Sequence, residues 1–215
     1  MTPVRVTFSL RTPMVIPYTD KHLDALLSWA AVQKAEFEGH DDPWTLQHDI
    51  GVEKHECSQA WCFKAGLLTF DWVGERNQLH YIKRSKLEDY ADAHMDGLLD
   101  RRPAFDAGRG STKAGSYFAP TRWVKSVTGF AVVRDMHRFE ELLPWVTHIG
   151  KLRHKDYGAV SSFSVDIDPA AMHLWSQRNL PPDSDQATRH VPAAGALASP
   201  YWKRENHREV LAFAE

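Results

Sequence analysis

The chain is poor in cysteine: Cys57 and Cys62 are its only two, and they are too few and too closely spaced to staple a secreted scaffold. A reducing cytosol is the expected compartment. No apolar run approaches the roughly 18 residues of a membrane span, and no basic segment followed by an apolar core stands at the start, so a soluble protein without membrane attachment is expected. A dominant charge is missing as well. The 26 Lys and Arg are set against 28 Asp and Glu, for a net charge of -2, so the field of the whole molecule does not draw in a polyanion and any nucleic-acid site has to be a local patch. Walker, GxGxxG, HExxH and GxSxG motifs do not occur, which removes the commonest nucleotide-binding, protease and hydrolase readings. There is no internal repeat.

What is present is an ordinary globular composition, 43% hydrophobic and 25% charged over 215 residues, enough to bury a core and more than a bare βαββαβ unit needs. Val4, Val6, Phe8 and Leu10 alternate with polar residues and predict a half-buried first strand. Leu23, Leu26, Leu27, Ala30 and Ala31 recur at helical spacing, with Thr19 or Asp20 as the expected N-cap and Gly39 as the stop. Residues 40–56 have no period and read as a connection. QAWCFKAGLLTFDWV and QLHYIKRS, separated by GERN, predict a hairpin turning at those four residues. A short helix is expected around Tyr90 to Leu99, ending by Pro103. Residues 107–126 suit an irregular loop or a long hairpin, and SVTGFAVV a strand.

Asp135 is placed to cap a helix carrying Phe139, Leu142, Leu143 and Val146, which Pro144 should kink or end. The alternating strand SFSVDI then sets Phe163, Val165 and Ile167 on one face. This order of elements is that of an α+β, ferredoxin-like (RRM-like) βαββαβ core spanning residues 1–168. Residues 169–215 are expected to form a C-terminal extension packing on the same domain, with one more strand near its end.

Two segments concentrate positive charge. Between Gly150 and Gly158 lie Lys151, Arg153, His154 and Lys155, where glycines allow close backbone approach to a phosphate and the cations supply charge. The plainer reading is a solvated loop beside a helix C-terminus, where cations are favoured in any case. Residues 107–126 hold Arg109, Lys113, Arg122 and Lys125 with no acid, interleaved with Tyr117, Phe118 and Trp123, a mixture suited to stacking on splayed bases. Here the plainer reading buries Phe118 and Trp123 in strands. His55, Cys57 and Cys62, with His40 and His48 upstream, raise a zinc site, but the spacing is not that of a structural knuckle and no metal is expected. Among the 12 histidines, His22, His148 and His154 are the candidates for acid-base chemistry, with no nucleophile paired to them in sequence.

The opening VRVTFSLRTPMVIP followed by HLDALLSWA, the loop IGKLRHKDYG leading into a strand, and the late PYW together resemble the small RAMP-type subunit of type IV CRISPR effector complexes. The resemblance implies a modified ferredoxin-like fold that grips the 5′ handle of the guide RNA and caps a filament of backbone subunits without catalysis. It implies as partners the guide RNA, the backbone RAMP subunits and the large subunit, with target DNA and a DinG-type helicase as further candidates, and no cofactor. It also implies a thumb-like hairpin inserted at about residues 74–122, and an RNA-contacting glycine loop that maps to Gly150, Lys151, Arg153, Lys155, Tyr157 and Gly158. Asp156 departs from the pattern, standing where a small residue, often glycine, is expected. The rival expectation is a metal-independent endoribonuclease of the same superfamily that processes CRISPR repeat RNA. A free-standing RRM ranks last, for want of an RNP1 signature.

Overall fold

The computed structural model describes residues 1–17, 21–58, 60–83, 86–98, 108 and 113–214. The chain divides into two compact units, one formed by Met1–Glu75 and Arg122–Glu215 and the other by Arg76–Thr121. The class is α+β, with antiparallel pairing in each sheet.

In the first unit, β1 (Thr2–Leu10) buries Val4, Val6 and Phe8 completely and turns Arg5 outward, as its period of two requires. β2 (Met14–Val15) is a short strand, and α1 (Leu23–Phe37) follows, packing Leu23, Leu27, Ala30 and Ala31 into the same core. His22 occupies the cap position of α1 without a side-chain cap bond; Thr19 and Asp20 lie outside the described residues. At the other end Gly39, at φ +77, lets its N–H reach Glu36 O at 3.2 Å and the N–H of His40 reach Ala35 O at 3.0 Å. That pair of bonds is a Schellman stop at the expected glycine.

The connection after α1 is more ordered than its sequence suggests. A 3-10 turn over Pro43–Leu46 leads to β3 (Lys54–Glu56), which pairs with β4 (Trp61–Phe63) in a small separate sheet. β5 (Thr69–Lys83) overturns the expected hairpin at GERN: the strand runs through Gly74 to Asn77 without reversing. Gly74 takes φ +68 inside it, so glycine there serves a local irregularity, and the pairing partner is supplied later in the chain by β6 (Gly115–Val133). β6 is 19 residues long and joins the basic segment to SVTGFAVV as one strand.

α3 (Met136–Leu142) is capped by Asp135, whose carboxylate accepts from the Arg138 N–H at 3.1 Å, and it gives way at Pro144 to a 3-10 turn over Leu143–Trp145. β7 (Val160–Ile167) closes the main sheet, whose order is β2-β6-β1-β7 with β5 also on β6. Register pairs Phe8 with Phe163, Val6 with Val165 and Val4 with Ile167, which sets those three β7 residues on the core-facing side. Being at the edge, they are only partly covered: Ile167 is 74% and Phe163 40% exposed.

The C-terminal segment is built into the body of the first unit. α4 (Ala171–Leu174) and the antiparallel pair β8 (His190–Gly195) and β9 (Arg208–Phe213) surround a second apolar cluster of Cys62, Val132, Trp175, Leu180, Leu197 and Val210. Arg178 is wholly buried. It donates to Asp24 Oδ1 at 3.1 Å, to the carbonyls of Phe63 and Ala65 at 2.8 and 2.9 Å, and to Tyr201 Oη at 2.7 Å, while Tyr201 donates to Asp24 Oδ2 at 2.7 Å. This network joins α1, β4 and the C-terminal segment.

The second unit holds α2 (Leu87–Met95), none of whose residues is buried. The helix begins three residues before the expected Tyr90 and stops short of Leu99. Gly97 at φ +71 forms a second Schellman stop, with the Leu98 N–H on Ala93 O at 2.9 Å.

Candidate nucleic-acid interface

The glycine loop is held at both ends by its backbone. Gly158 is buried at φ +70 and donates to Pro13 O at 2.9 Å, while its carbonyl accepts from the Ile149 N–H at 2.8 Å. A Cβ at Gly158 would meet Ile149 O at 2.0 Å, so no other residue fits. Gly150, at φ +99, faces Met14. Thr12 completes the tie: its hydroxyl donates to Asp156 O at 2.6 Å and accepts from the Ala159 N–H at 2.9 Å.

Between these anchors a 3-10 turn over Arg153–Lys155 is flanked by two left-handed residues, Leu152 at φ 60 and Asp156 at φ 62. The acid that breaks the resemblance therefore occupies a position with a glycine-like backbone, which aspartate tolerates better than most residues. Its carboxylate turns to His148 Nε2 at 3.1 Å and Arg11 at 3.4 Å. The hydrogen bond from His148, followed by the charge of Arg11, holds it below the usual carboxylate range. With Asp156 so engaged, the exposed Lys151, Arg153, His154 and Lys155 leave the loop with a positive excess. Arg153 lies over Trp29, its guanidinium carbon 4.5 Å from the ring centroid. Tyr157 is half-buried, and its N–H points back to Leu152 O at 3.4 Å.

The other basic segment falls mostly on β6. Arg109 lies outside the described residues. In the second unit Lys113, Tyr117 and Phe118 are exposed, and Phe118 stacks on His80 with ring centroids 4.7 Å apart. In the first unit Arg122 gives its Nε–H to Gly74 O at 2.9 Å, while Trp123 and Lys125 face outward around the buried Val124. Phe118 and Trp123 are thus strand residues, but at 59% and 47% exposure they are not core.

The three acid-base candidates separate. His22 is only 7% exposed, stacks on Tyr201 at 4.5 Å, and is held well below the usual imidazole pKa by burial and then by the charge of Arg178. His154 is exposed on the loop, and His148 is paired with Asp156. Of the zinc candidates, Cys62 is buried, its thiol pushed up to about 11 by desolvation. His55 Nε2 lies 2.9 Å from Ser184 Oγ and 3.3 Å from Cys57 Sγ, and burial with the carboxylates of Asp183 and Asp185 raises the Cys57 thiol. Among the described residues no group of three or more His, Cys, Asp or Glu is arranged to hold a metal ion, and no helix is long and apolar enough to cross a membrane.

Sequence reasoning missed an aromatic groove beside the glycine loop. Four of the eight tryptophans, Trp29, Trp44, Trp145 and Trp202, line a cavity of about 330 Å³ together with Arg153 and His148. Its residues come from α1, the turn after it, the segment from Trp145 to Arg153 and the C-terminal segment, so no local pattern marks it. The available signal was compositional: Trp44 in DDPWTLQ and Trp202 in PYWKRENH sit in polar surroundings and are exposed.

A family model described as CRISPR type IV associated protein Csf3 matches residues 2–213. No curated protein matches the chain.

Proposed function

Since the chain belongs to the Csf3 family of CRISPR type IV associated proteins, we propose that it is a non-catalytic subunit of a type IV ribonucleoprotein, binding the 5′ handle of the guide RNA and capping the filament of backbone subunits. The observation that carries this reading is the glycine loop: a backbone pinned at Gly158 presents Lys151, Arg153 and Lys155 within one short loop, with its single acid drawn aside by Arg11 and His148. Cations on a rigid support release counterions from a phosphate strand without paying much ordering entropy.

Other features agree with it. Taking β1, β5, β6 and β7 alone, the order β7-β1-β6-β5, with α1 after β1 and α3 after β6, supports a ferredoxin-like core. The unit Arg76–Thr121, a separate compact body inserted in the sequence between Glu75 and Arg122, supports a thumb. The edge strand β7, with Phe163 and Ile167 uncovered, supports docking of a neighbouring subunit.

The test is guide-RNA binding by the Lys151→Ala, Arg153→Ala double variant across a salt series. For a single strand each lost phosphate contact lowers the slope of log K against log salt by about 0.7, so a drop of about 1.4 is expected. An unaltered affinity and slope would remove the loop from the interface.

One observation favours a second reading. The His148 imidazole on the groove wall is set between Asp156 on Nε2 and the Thr147 hydroxyl 3.1 Å from Nδ1, an arrangement in which a substrate hydroxyl taking the place of Thr147 would meet a base held by a carboxylate. Repeat RNA incubated with the protein in chelator distinguishes the two: defined fragments that vanish in His148→Ala would establish a nuclease, and intact RNA supports the binding subunit.

A further inference from the structure

We infer that the tryptophan-lined groove is a receptacle for one unstacked nucleobase of the RNA strand whose phosphates lie on the glycine loop; this rests on the RNA-binding reading above. Three observations converge on it.

The first is shape and surface. Trp44 lies on the turn over Pro43–Leu46 and Trp29 on α1, their rings 6.1 Å apart and tilted by 59°, while Trp202, 73% exposed, adds a further aromatic face to the lining. Aromatic faces at a cavity of about 330 Å³ suit a planar heterocycle and its sugar.

The second is an unmet hydrogen-bonding capacity. Ser28 and Gln47 both line the groove, and Ser28 Oγ and Gln47 Oε1 are shielded from solvent with no hydrogen-bond partner among the described residues. A serine inside a helix ordinarily bonds back to a carbonyl one turn earlier; Ser28, 2% exposed, does not. Rotation about the broad terminal torsion of Gln47 turns its amide to the groove, and the edge of a nucleobase carries the donors and acceptors that both groups lack.

The third is charge placement. A second cavity of about 730 Å³ adjoins the first through shared Trp29, Trp145, His148 and Arg153, and adds Lys151 and His154. Aromatic and cationic compartments thus meet at Arg153, whose guanidinium lies over Trp29 and can offer N–H groups to a phosphate. This is the division between base and backbone within a nucleotide. An apolar peptide would fill the aromatic half and offer no anion to Arg153, where the two compartments meet.

The test uses the full chain and a synthetic RNA carrying the CRISPR repeat handle, with companion strands in which a single abasic site is moved along the sequence. Removing the seated base should weaken binding by about 5- to 150-fold at one position, the range of one base-aromatic stack, and quench less of the tryptophan emission. In Trp44→Ala and Gln47→Leu, both changes at or near the surface, that positional penalty should disappear while the salt slope stays as in the parent. RNA that binds with no abasic-sensitive position, or with a penalty unchanged in both variants, overturns the base receptacle and leaves the loop reading standing. RNA that fails to bind the parent chain at all overturns both. Variants that bind RNA normally but no longer co-purify with another subunit would reassign the groove to a protein partner.

Discussion

Arg153 and Arg178 carry the same side chain into opposite surroundings. Arg178 is sealed inside the first unit with Asp24, Tyr201 and the four main-chain carbonyls of Phe63, Ala65, Asn179 and Leu197, each of its three nitrogens committed. Arg153 stands exposed on a glycine-pinned turn, steadied from one side by Trp29. Burial turns a guanidinium into a structural tie because an unpaired charge in the interior is prohibitively costly. Exposure on a rigid loop leaves it free to serve a ligand. The difference teaches that burial among committed partners, and not the guanidinium itself, makes an arginine architectural in this protein.

That contrast is broken most directly by removing the partner of the buried arginine. Asp24→Ala leaves Arg178 without its counter-charge and should cost about 3–5 kcal/mol in urea unfolding, whereas Arg153→Ala should move stability by less than about 1 kcal/mol. Equal effects would show that burial does not separate the two roles. Next in size is the loop anchor. Gly158→Ala combines a forbidden approach to Ile149 O with a left-handed backbone and should destabilise by at least about 2 kcal/mol, while Gly39→Ala, at φ +77 with nothing within 4 Å, should cost only about 1 kcal/mol.

A third prediction sharpens the buried side through pH. His22 is kept neutral by burial and by Arg178, so its folded pKa lies below its unfolded value near 6.5. The stabilisation is complete above that value and is lost as pH falls from it towards the folded pKa, because the unfolded chain takes up the proton first. Unfolding free energy should therefore fall from pH 7.5 to 5.5, by up to about 1.4 kcal/mol per pH unit below 6.5, with the melting temperature falling alongside, and the fall should shrink in His22→Phe, which keeps an aromatic ring against Tyr201. A profile shared by both proteins would assign the effect elsewhere. The smallest effect expected is that of Asp156→Asn. Unfolding should be unchanged within error, and guide-RNA affinity should rise slightly at low salt as an acid leaves the cationic turn; weaker binding would mean that the ties to Arg11 and His148 position the loop.

Signals carried by neighbouring residues were legible in the sequence. The alternation in β1, the Gly39 stop, the Asp135 cap and the contiguous glycine loop each arise from a few adjacent positions, and each is found where expected. GERN misled because glycine and asparagine report only that a left-handed backbone is allowed, and Gly74 uses that freedom inside a strand. Phe163 and Ile167 share the expected face of β7, but edge position, which sequence does not encode, leaves them uncovered. The tryptophan groove was hidden for the same reason on a larger scale, since residues as distant as 29 and 202 meet only after folding.

The tie between Arg178 and Asp24 has a consequence for how the molecule can be shortened. Ending the chain before β8 looks harmless by composition, yet cutting after Ile167 would remove both the guanidinium and the phenol that satisfy the buried carboxylate in the first turn of α1. The last fifth of the polypeptide thus acts as a clasp on the first helix, and a core trimmed to its main sheet would arrive with an orphaned anion at its centre.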